Sequence, residues 1–381
     1  MQGDTNRLSL ENMKQMIKSS ILPLTNEIEA SNYYPKELIN ELGKKGCLGV
    51  SIPIHYGGIG VDPIVYGKFI EEIGKVCTAT RTLITVHTSL VCETILKYGT
   101  KEQKQEWLPA LVSGEKIGAF ALSEPNVGSN AKNVLTTYKS VEGDFVVTGN
   151  KKWISFGELA DVFLVIASNS ENGMKSAFII EREQAGVQTI PIKGMMAGRG
   201  THIAEIKLDN VKVPRNRLIG IEGSGFDFVA SYALDQGRYS VAWGGVGLAQ
   251  AAIEAIINYA NHREQFGKKL GEHQLIQAMI TEAITKTHAA RALCYKAGAE
   301  RKEKKVSALN ETMIAKYFAS KIAVEIANDA VQIYGAKGFV RDYGVERLYR
   351  EAKVLEIIEG TSQVLQEIIS KEALNNINEK W

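Results

Sequence analysis

The hydrophobic period of this chain changes twice, which restricts it to an order of helical, strand-rich and helical parts. From Leu8 to about Glu115, apolar residues recur at three- to four-residue steps: Met13, Met16, Ile17, Ile21 and Leu22 first, then Ile64, Phe69, Ile70 and Ile73. This spacing predicts helices, punctuated by Pro23, Pro35, the Gly57-Gly58 turn and the turn at 113–116. Between Ile117 and about Gly223 the period becomes that of strands, in DFVVTGNKKWIS, DVFLVIAS, KSAFIIE, GVQTIPI and HIAEIKLDNVKVP. Helical spacing returns from Phe226, with Ile314, Phe318, Ile322 and Ile326 at four-residue steps, and ends near Gly335. The expected class is α+β: a helical domain over 1–116, a β-domain over 117–223 and a helical bundle over 224–381. With 381 residues, 45% of them apolar, the chain can bury more than one core.

Forty-five basic residues against 43 acidic ones leave no concentrated basic stripe, so nucleic acid is not an expected partner. The run Arg301, Lys302, Glu303, Lys304, Lys305 reads as a solvated helix end. Cysteines 47, 77, 92 and 294 form no CxxC pair and read as reduced, buried thiols. Histidines 55, 87, 202, 262, 273 and 288 form no HxH or HExxH cluster, so no metal centre is expected. The polar start MQGDTNRLSLENMKQ and the lack of an apolar run approaching ~18 residues imply a cytoplasmic protein without membrane insertion.

The strongest chemical signal is LYREAKVLEIIEGTSQVLQEI at 348–368. Glu359 stands beside Ile357 and Ile358, whose hydrocarbon should penalise its charge and raise its pKa toward that of a general base. Gly360 permits close backbone approach, and Thr361 and Ser362 can cap the next helix while leaving N–H groups for an anion. Locally the same run fits an ordinary helix start. The loop in IGAFALSEPNVGSNAKN can present N–H groups and hydroxyls to a polar ring or phosphate, or be a plain turn. In GNKKWISFG, Trp153 can cover a flat cofactor and Ser155 can donate to it, or Trp153 can belong to the core. HREQFGKKLGEHQ at 262–274 places Arg263, Phe266 and Gln274 in a polar connector. GGVG at 244–247 and YGAKG at 334–338 do not complete GxGxxG after a strand, so a Rossmann nicotinamide site is not supported.

WLPALVSGEKIGAFALSEPNVGS, GNKKWIS, KLDNVKVPRNRLIG, LDQGR, HREQFGKKLGEHQ, QIYGAKGF and LYREAKVLEIIEGTSQ, in this order, resemble the acyl-CoA dehydrogenase family over almost the whole chain. The resemblance implies an N-terminal α-domain, a central β-domain and a C-terminal four-helix domain, with FAD between the last two. By it, Phe120, Leu122, Ser123, Gly128 and Ser129 line the flavin, with Ser129 also facing the substrate. Trp153, Ile154 and Ser155 hold the isoalloxazine. Arg263, Gln265, Phe266 and Gln274, with Gln332, Ile333, Gly335 and Ala336, belong to segments that reach FAD of a neighbouring subunit. A dimer is then the smallest active unit, and tetramers are usual. Thr361 and Gln363 are further FAD contacts, while Asp235, Arg238 and Gly360 contact substrate.

Glu359 matches the family's catalytic base, which removes the α-proton while the β-hydrogen leaves as hydride to the flavin. In the branch whose base lies on an earlier helix, that position is Gly237, which cannot serve. The implied substrate is an acyl-CoA, and the implied electron acceptor is of the kind of electron-transfer flavoprotein. Asn126, Asn130, Phe156, Ile358 and the GMMAGRGTHIAEI segment depart from the usual pattern. By the resemblance these departures cluster near the cofactor and acyl pocket, and they suit an acyl group tethered to a carrier protein in polyketide or nonribosomal peptide biosynthesis. Rival readings on the same fold are a flavin oxidase or monooxygenase and a non-catalytic DNA-binding protein, the latter disfavoured by the near-neutral charge.

Overall fold

The computed structural model describes residues 10–375. Its N-terminal part comprises α1 (Leu10–Met16), α2 (Thr25–Ser31), α3 (Lys36–Lys44), α4 (Pro63–Val76), α5 (Thr78–Ile84), α6 (Glu93–Tyr98) and α7 (Lys101–Ser113). Thr85–Cys92, between α5 and α6, is wound as a π-helix and wholly buried. Local chemistry sets the starts of these helices. Asp62 accepts hydrogen bonds from Ile64 and Val65 N–H at 2.9 and 3.0 Å, and Pro63 occupies the first turn of α4. Thr100 and Gln103 form a capping box on α7. Gln103 also donates to the carbonyls of Asn216 and Leu218 at 2.7 and 2.8 Å, fastening these helices to the β-domain.

The strands are β1 (Gly118–Ala121), β2 (Thr137–Val141), β3 (Asp144–Ile154), β4 (Val162–Asn169), β5 (Lys175–Glu181), β6 (Val187–Pro191), β7 (Ala204–Val213) and β8 (Leu218–Ile219). They form one mixed sheet in the order β6-β7-β3-β2-β4-β5-β8, with β1 parallel to β4. All five runs expected as strands are strands. β4 is buried along VFLVIA, whereas β7 shows mostly alternating burial, as expected for a half-covered strand.

The C-terminal part is α8 (Ser231–His262), a short hairpin of β9 (Glu264–Gln265) and β10 (Lys268–Lys269), α9 (Gln274–Lys302), α10 (Ala308–Tyr334), α11 (Val345–Leu355) and α12 (Ser362–Asn375). The continuous helical stretch Gly225–His262 is long and apolar enough to cross a membrane, but most of it is buried against other helices. It is the core helix of the bundle. Its GGVG run serves helix packing: a Cβ on Gly247 would lie 2.2 Å from the Glu71 carbonyl of α4, and one on Gly74 would lie 3.1 Å from Gly244 Cα. The seam of α10 is likewise built of small residues, Ala315, Ala319, Ala323 and Ala327, while Ile314 and Phe318 are only partly buried.

Two expectations need correction. Leu22 is half-exposed, because the chain passes there from a π-turn into a 3-10 turn and loses the helical period. Arg301 is no solvated helix end: it pairs with Asp235 at 2.6 Å, donates to Thr312 at 3.0 Å and stacks over the Tyr239 ring, joining α8, α9 and α10.

Gly247→Ala should lower the unfolding free energy by about 1–3 kcal/mol, because the methyl group meets backbone that cannot rotate away. Thermal unfolding of the variant should show a lower midpoint; an unchanged midpoint would contradict the close packing of α4 on α8.

Candidate active site

The turn between α11 and α12 carries Glu359 with φ 54° and Gly360 with φ 93°. The left-handed conformation costs a residue other than glycine roughly 1–2 kcal/mol, so it persists only where surroundings impose it. Two cations do so here, one half-buried and one buried. Arg238 on α8 donates from Nε to the Glu359 carbonyl at 2.9 Å, and Lys316 on α10 donates from Nζ to the Gly360 carbonyl at 2.7 Å. Ser362 N–H closes the turn on the Glu356 carbonyl at 2.9 Å, and Thr361 Oγ1 caps α12 by accepting from Val364 N–H at 3.2 Å. The expected cap at Thr361 is therefore present.

The Glu359 carboxylate occupies space that Gly237 leaves open. A Cβ there would meet Glu359 Oε2 and Leu90 Cδ2, each at 2.7 Å. Oε2 is buried and has no hydrogen-bond partner, an arrangement that native proteins rarely leave unexplained. Burial pushes the pKa of Glu359 up to about 7, against the pull of Arg238, Lys316 and Arg81. The desolvation does not come from Ile357, whose side chain is mostly exposed, but from the packing of α8 and the π-helix over the carboxylate. Burial also lowers the Lys316 ammonium to about 8 despite the nearby Glu359.

A second surface lies at the edge of the β-domain. Lys152 N–H donates to the Ser123 carbonyl at 2.8 Å, which brings the loop after β1 beside the end of β3. Beneath it, the buried Lys151 ammonium reaches Glu124 at 2.7 Å and the Leu122 carbonyl at 3.1 Å, and Glu124 accepts from Leu135 and Thr136 N–H. On this braced edge Trp153 is half-exposed with φ 65°, and Ser155 and Phe120 are half-buried. Gly128 and Ser129 are exposed, and nothing lies within 4 Å of a Cβ built on Gly128. The side chains of Leu122 and Ile154 point into the cores, so they can offer a ligand only backbone. An open glycine loop, an exposed indole held in strained backbone and the unpartnered buried Ser362 Oγ fit a planar, polar cofactor such as FAD.

The other expected cofactor residues lie elsewhere. Arg263, Gln265, Phe266 and Gln274 are exposed beyond the C-terminal end of α8, about 37 Å along that helix from Gly237. Gln332, Gly335 and Ala336 are exposed at the end of α10 and Ile333 is buried; the neighbouring Tyr334 stacks on Tyr259 of α8 at 4.0 Å. One chain therefore does not bring both groups together. Gln363 is exposed on α12. Asp235, expected to touch substrate, has its carboxylate engaged by Arg301. Phe156 packs edge-to-face on Tyr34 in the core, and GMMAGRGTHIAEI is a buckle: Gly198 N–H binds Glu351, Gly200 N–H binds Asn32, and His202 accepts from Tyr34 N–H. These departures from the usual pattern answer to packing between parts of the chain. Lys316 escaped notice in the sequence, although a lysine on the alanine-rich buried seam of α10 was the available signal.

Three family models match the chain: the acyl-CoA dehydrogenase N-terminal domain over 3–115, the middle domain over 119–211 and the C-terminal domain over 223–374. The chain belongs to the acyl-CoA dehydrogenase family, FAD-dependent oxidoreductases acting on carbon–carbon single bonds. It is 37% identical to an acyl-CoA dehydrogenase of Bacillus subtilis (strain 168), over 94% of this chain and 95% of that one. Butyryl-CoA dehydrogenase from Megasphaera elsdenii superposes with a TM-score of 0.92 at 32% identity, covering 96% and 97% of the two chains. A chain from structural work on the electron transferring flavoprotein of Acidaminococcus fermentans also gives 0.92, at 35% identity and 96% coverage of each chain.

If ionised Glu359 is the working base, kcat/KM should fall as pH drops below about 7, where the carboxylate takes up a proton. Lys316→Met removes a charge that favours the carboxylate, so this acid limb should move to higher pH. A pH–rate profile that keeps its position in the variant would contradict the coupling.

Proposed function

We propose that the chain oxidises the Cα–Cβ bond of an acyl-CoA thioester, with Glu359 as the base that takes the α-proton. The observation that supports this most is the buried, unpartnered Oε2 of Glu359, raised to about 7 beside the gap at Gly237. At neutral pH such a group is divided between its two forms, so it can accept a proton and later return it to solvent. Arg238 and Lys316 fix the backbone on either side, so the carboxylate waits in place and loses little freedom on reaction. The Glu359 N–H donates to no protein acceptor among the described residues, which leaves it for the thioester carbonyl. A hydrogen bond there would make the α-proton acidic enough for a carboxylate. Trp153, Ser155, the loop at Ser123–Ser129 and the turn at Thr361–Gln363 would hold FAD, which supplies the acceptor for the two electrons leaving with the β-hydrogen.

Separation of the two groups of expected FAD residues supports a homodimer as the smallest complete unit, and two such dimers would make a tetramer. Phe266 and Phe339, 95% and 74% exposed, provide apolar surface at the end of the bundle for such a contact. An electron-transfer flavoprotein is the proposed oxidant of the reduced enzyme, and the cytoplasm its proposed location, where four buried thiols remain unpaired. Coenzyme A is preferred to a carrier protein as the tether, since Phe156 and the GMMAGRGTHIAEI segment, two of the features that suggested a carrier, serve internal packing.

Glu359→Gln keeps the shape but cannot take the proton. Anaerobic bleaching of the flavin by a cognate acyl-CoA should slow by about 10² to 10⁴ or more, with FAD content and dithionite reduction unchanged. Bleaching at close to the wild-type rate would remove Glu359 from the role of base.

A further inference from the structure

His87, wholly buried in the π-helix Thr85–Cys92, is held between two backbone groups of opposite kind. Its Nδ1 lies 3.1 Å from Gly118 N–H at the start of β1, and its Nε2 lies 3.0 Å from the Leu111 carbonyl of α7. A backbone N–H can only donate and a carbonyl can only accept. These partners therefore admit one form of the ring, neutral with its proton on Nε2. A proton on Nδ1 would set two donors face to face and strand Gly118 N–H away from water. Burial favours the same form, pushing the pKa down to about 4 against the pull of the Leu111 carbonyl.

The ring stands where the acyl side of the site meets the flavin side. Leu90, three residues on in the π-helix, faces α8 beside the base: a Cβ on Gly237 would lie 2.7 Å from both Leu90 Cδ2 and Glu359 Oε2. Val91, the next residue, faces β1. A Cβ on Gly118 would lie 2.8 Å from Val91 Cγ1, so the glycine is what lets strand and helix close on one another. Phe120 shares the Gly118 face of β1 by the two-residue period of a strand, and it is half-buried and packs against both hydrophobic cores. Beyond it the chain leaves β1 for the Ser123–Ser129 loop. Each element is anchored on its far side: β1 pairs with β4 from Gly118 to Ala121, and Thr88 of the π-helix donates to the Leu48 carbonyl at 2.7 Å. The His87–Gly118 hydrogen bond is a direct polar tie between the element that carries Leu90 and the strand that carries Phe120. π-helical winding is rare and occurs frequently at functional sites, which suits such a place.

We propose that His87 is a positioning residue for the oxidation: its neutral ring sets the spacing of the π-helix from β1, and through it the distance from the acyl Cα–Cβ bond beside Leu90 to the flavin edge at Phe120. Transfer of the β-hydrogen needs near-attack geometry, and a misplacement of about 1 Å can cost roughly 10² in rate. Thioester binding draws on contacts along the whole ligand, so it should change little. This rests on the proposed dehydrogenase reading and adds to it a residue that acts at one remove from the reacting atoms.

Substitutions that keep one bond at a time test it. His87→Leu loses both bonds, His87→Asn keeps an acceptor at the Nδ1 position for Gly118 N–H, and His87→Gln keeps only a donor for the Leu111 carbonyl. Each FAD-loaded enzyme is mixed anaerobically with whichever of butyryl-, hexanoyl-, isovaleryl- and glutaryl-CoA bleaches the wild type fastest. The limiting rate should fall about 10- to 100-fold in His87→Leu and His87→Gln, with the half-saturating concentration within about threefold, and His87→Asn should recover most of the rate. Amide hydrogen exchange of Gly118–Ala121, read without substrate, should quicken in the first two variants and stay slow in His87→Asn. If His87→Leu does not fold, the contrast of His87→Gln with His87→Asn decides. A rate in His87→Leu equal to that of the wild type would overturn the proposal. So would the reverse order, His87→Leu or His87→Gln faster than His87→Asn, which is what a role confined to filling space predicts. Either result leaves the dehydrogenase reading standing, whereas bleaching of the wild type by none of the four thioesters overturns both.

Discussion

The site depends on a carboxylate held out of water at the crest of a left-handed turn. A glutamate does not adopt φ 54° unaided, and the turn at 359–360 leaves carbonyls that must find donors. Arg238 from α8 and Lys316 from α10 supply them. These same two charges pull the pKa of Glu359 down while burial pushes it up, and the outcome near 7 is the balance of the two. Geometry and basicity therefore have a common source. Moving either helix would alter both, which gives a reason for the close packing of α8 against α4 and α10 at positions where side chains larger than glycine or alanine would intrude.

Charge is buried in this protein at places where separate parts of the chain meet. Arg301 with Asp235 joins three helices of the bundle, Lys151 with Glu124 braces the loop that follows β1, and Glu351 ties α11 to the segment before β7. Such pairs add little net stability over well-packed hydrocarbon, but losing one partner strands the other. Their value here is registry. They set the edge of the β-domain, where Trp153 stands exposed, and the Glu359 turn, each within its own packed surroundings.

Much of this was legible in the sequence because it depends on period and local chemistry. The two changes of hydrophobic period gave the order of parts, the five strand runs came out as strands, and the glycine after Glu359 lies in the left-handed region. What was hidden depends on contacts between distant segments. Arg301 looked like one of five solvated charges, and only the fold places it against Asp235. Asp235 looked free for substrate for the same reason. Lys316 and Arg81 sit in helical patterns that read as ordinary, and neither reveals from spacing alone that its charge is buried. GMMAGRGTHIAEI looked like part of a pocket because its partners, Asn32, Tyr34 and Glu351, are far away in the chain.

The most direct measurement of the central claim is the titration of the Glu359 side chain itself. Carbon-13 NMR of protein labelled at glutamate Cδ, with the Glu359→Gln spectrum used to assign the resonance, reads its ionisation in the ligand-free enzyme. A titration midpoint near 7 is the result expected of a buried base held between Arg238 and Lys316. A midpoint near the ordinary glutamate value of about 4.3 would mean that the carboxylate is solvated, and the account of the site would fail.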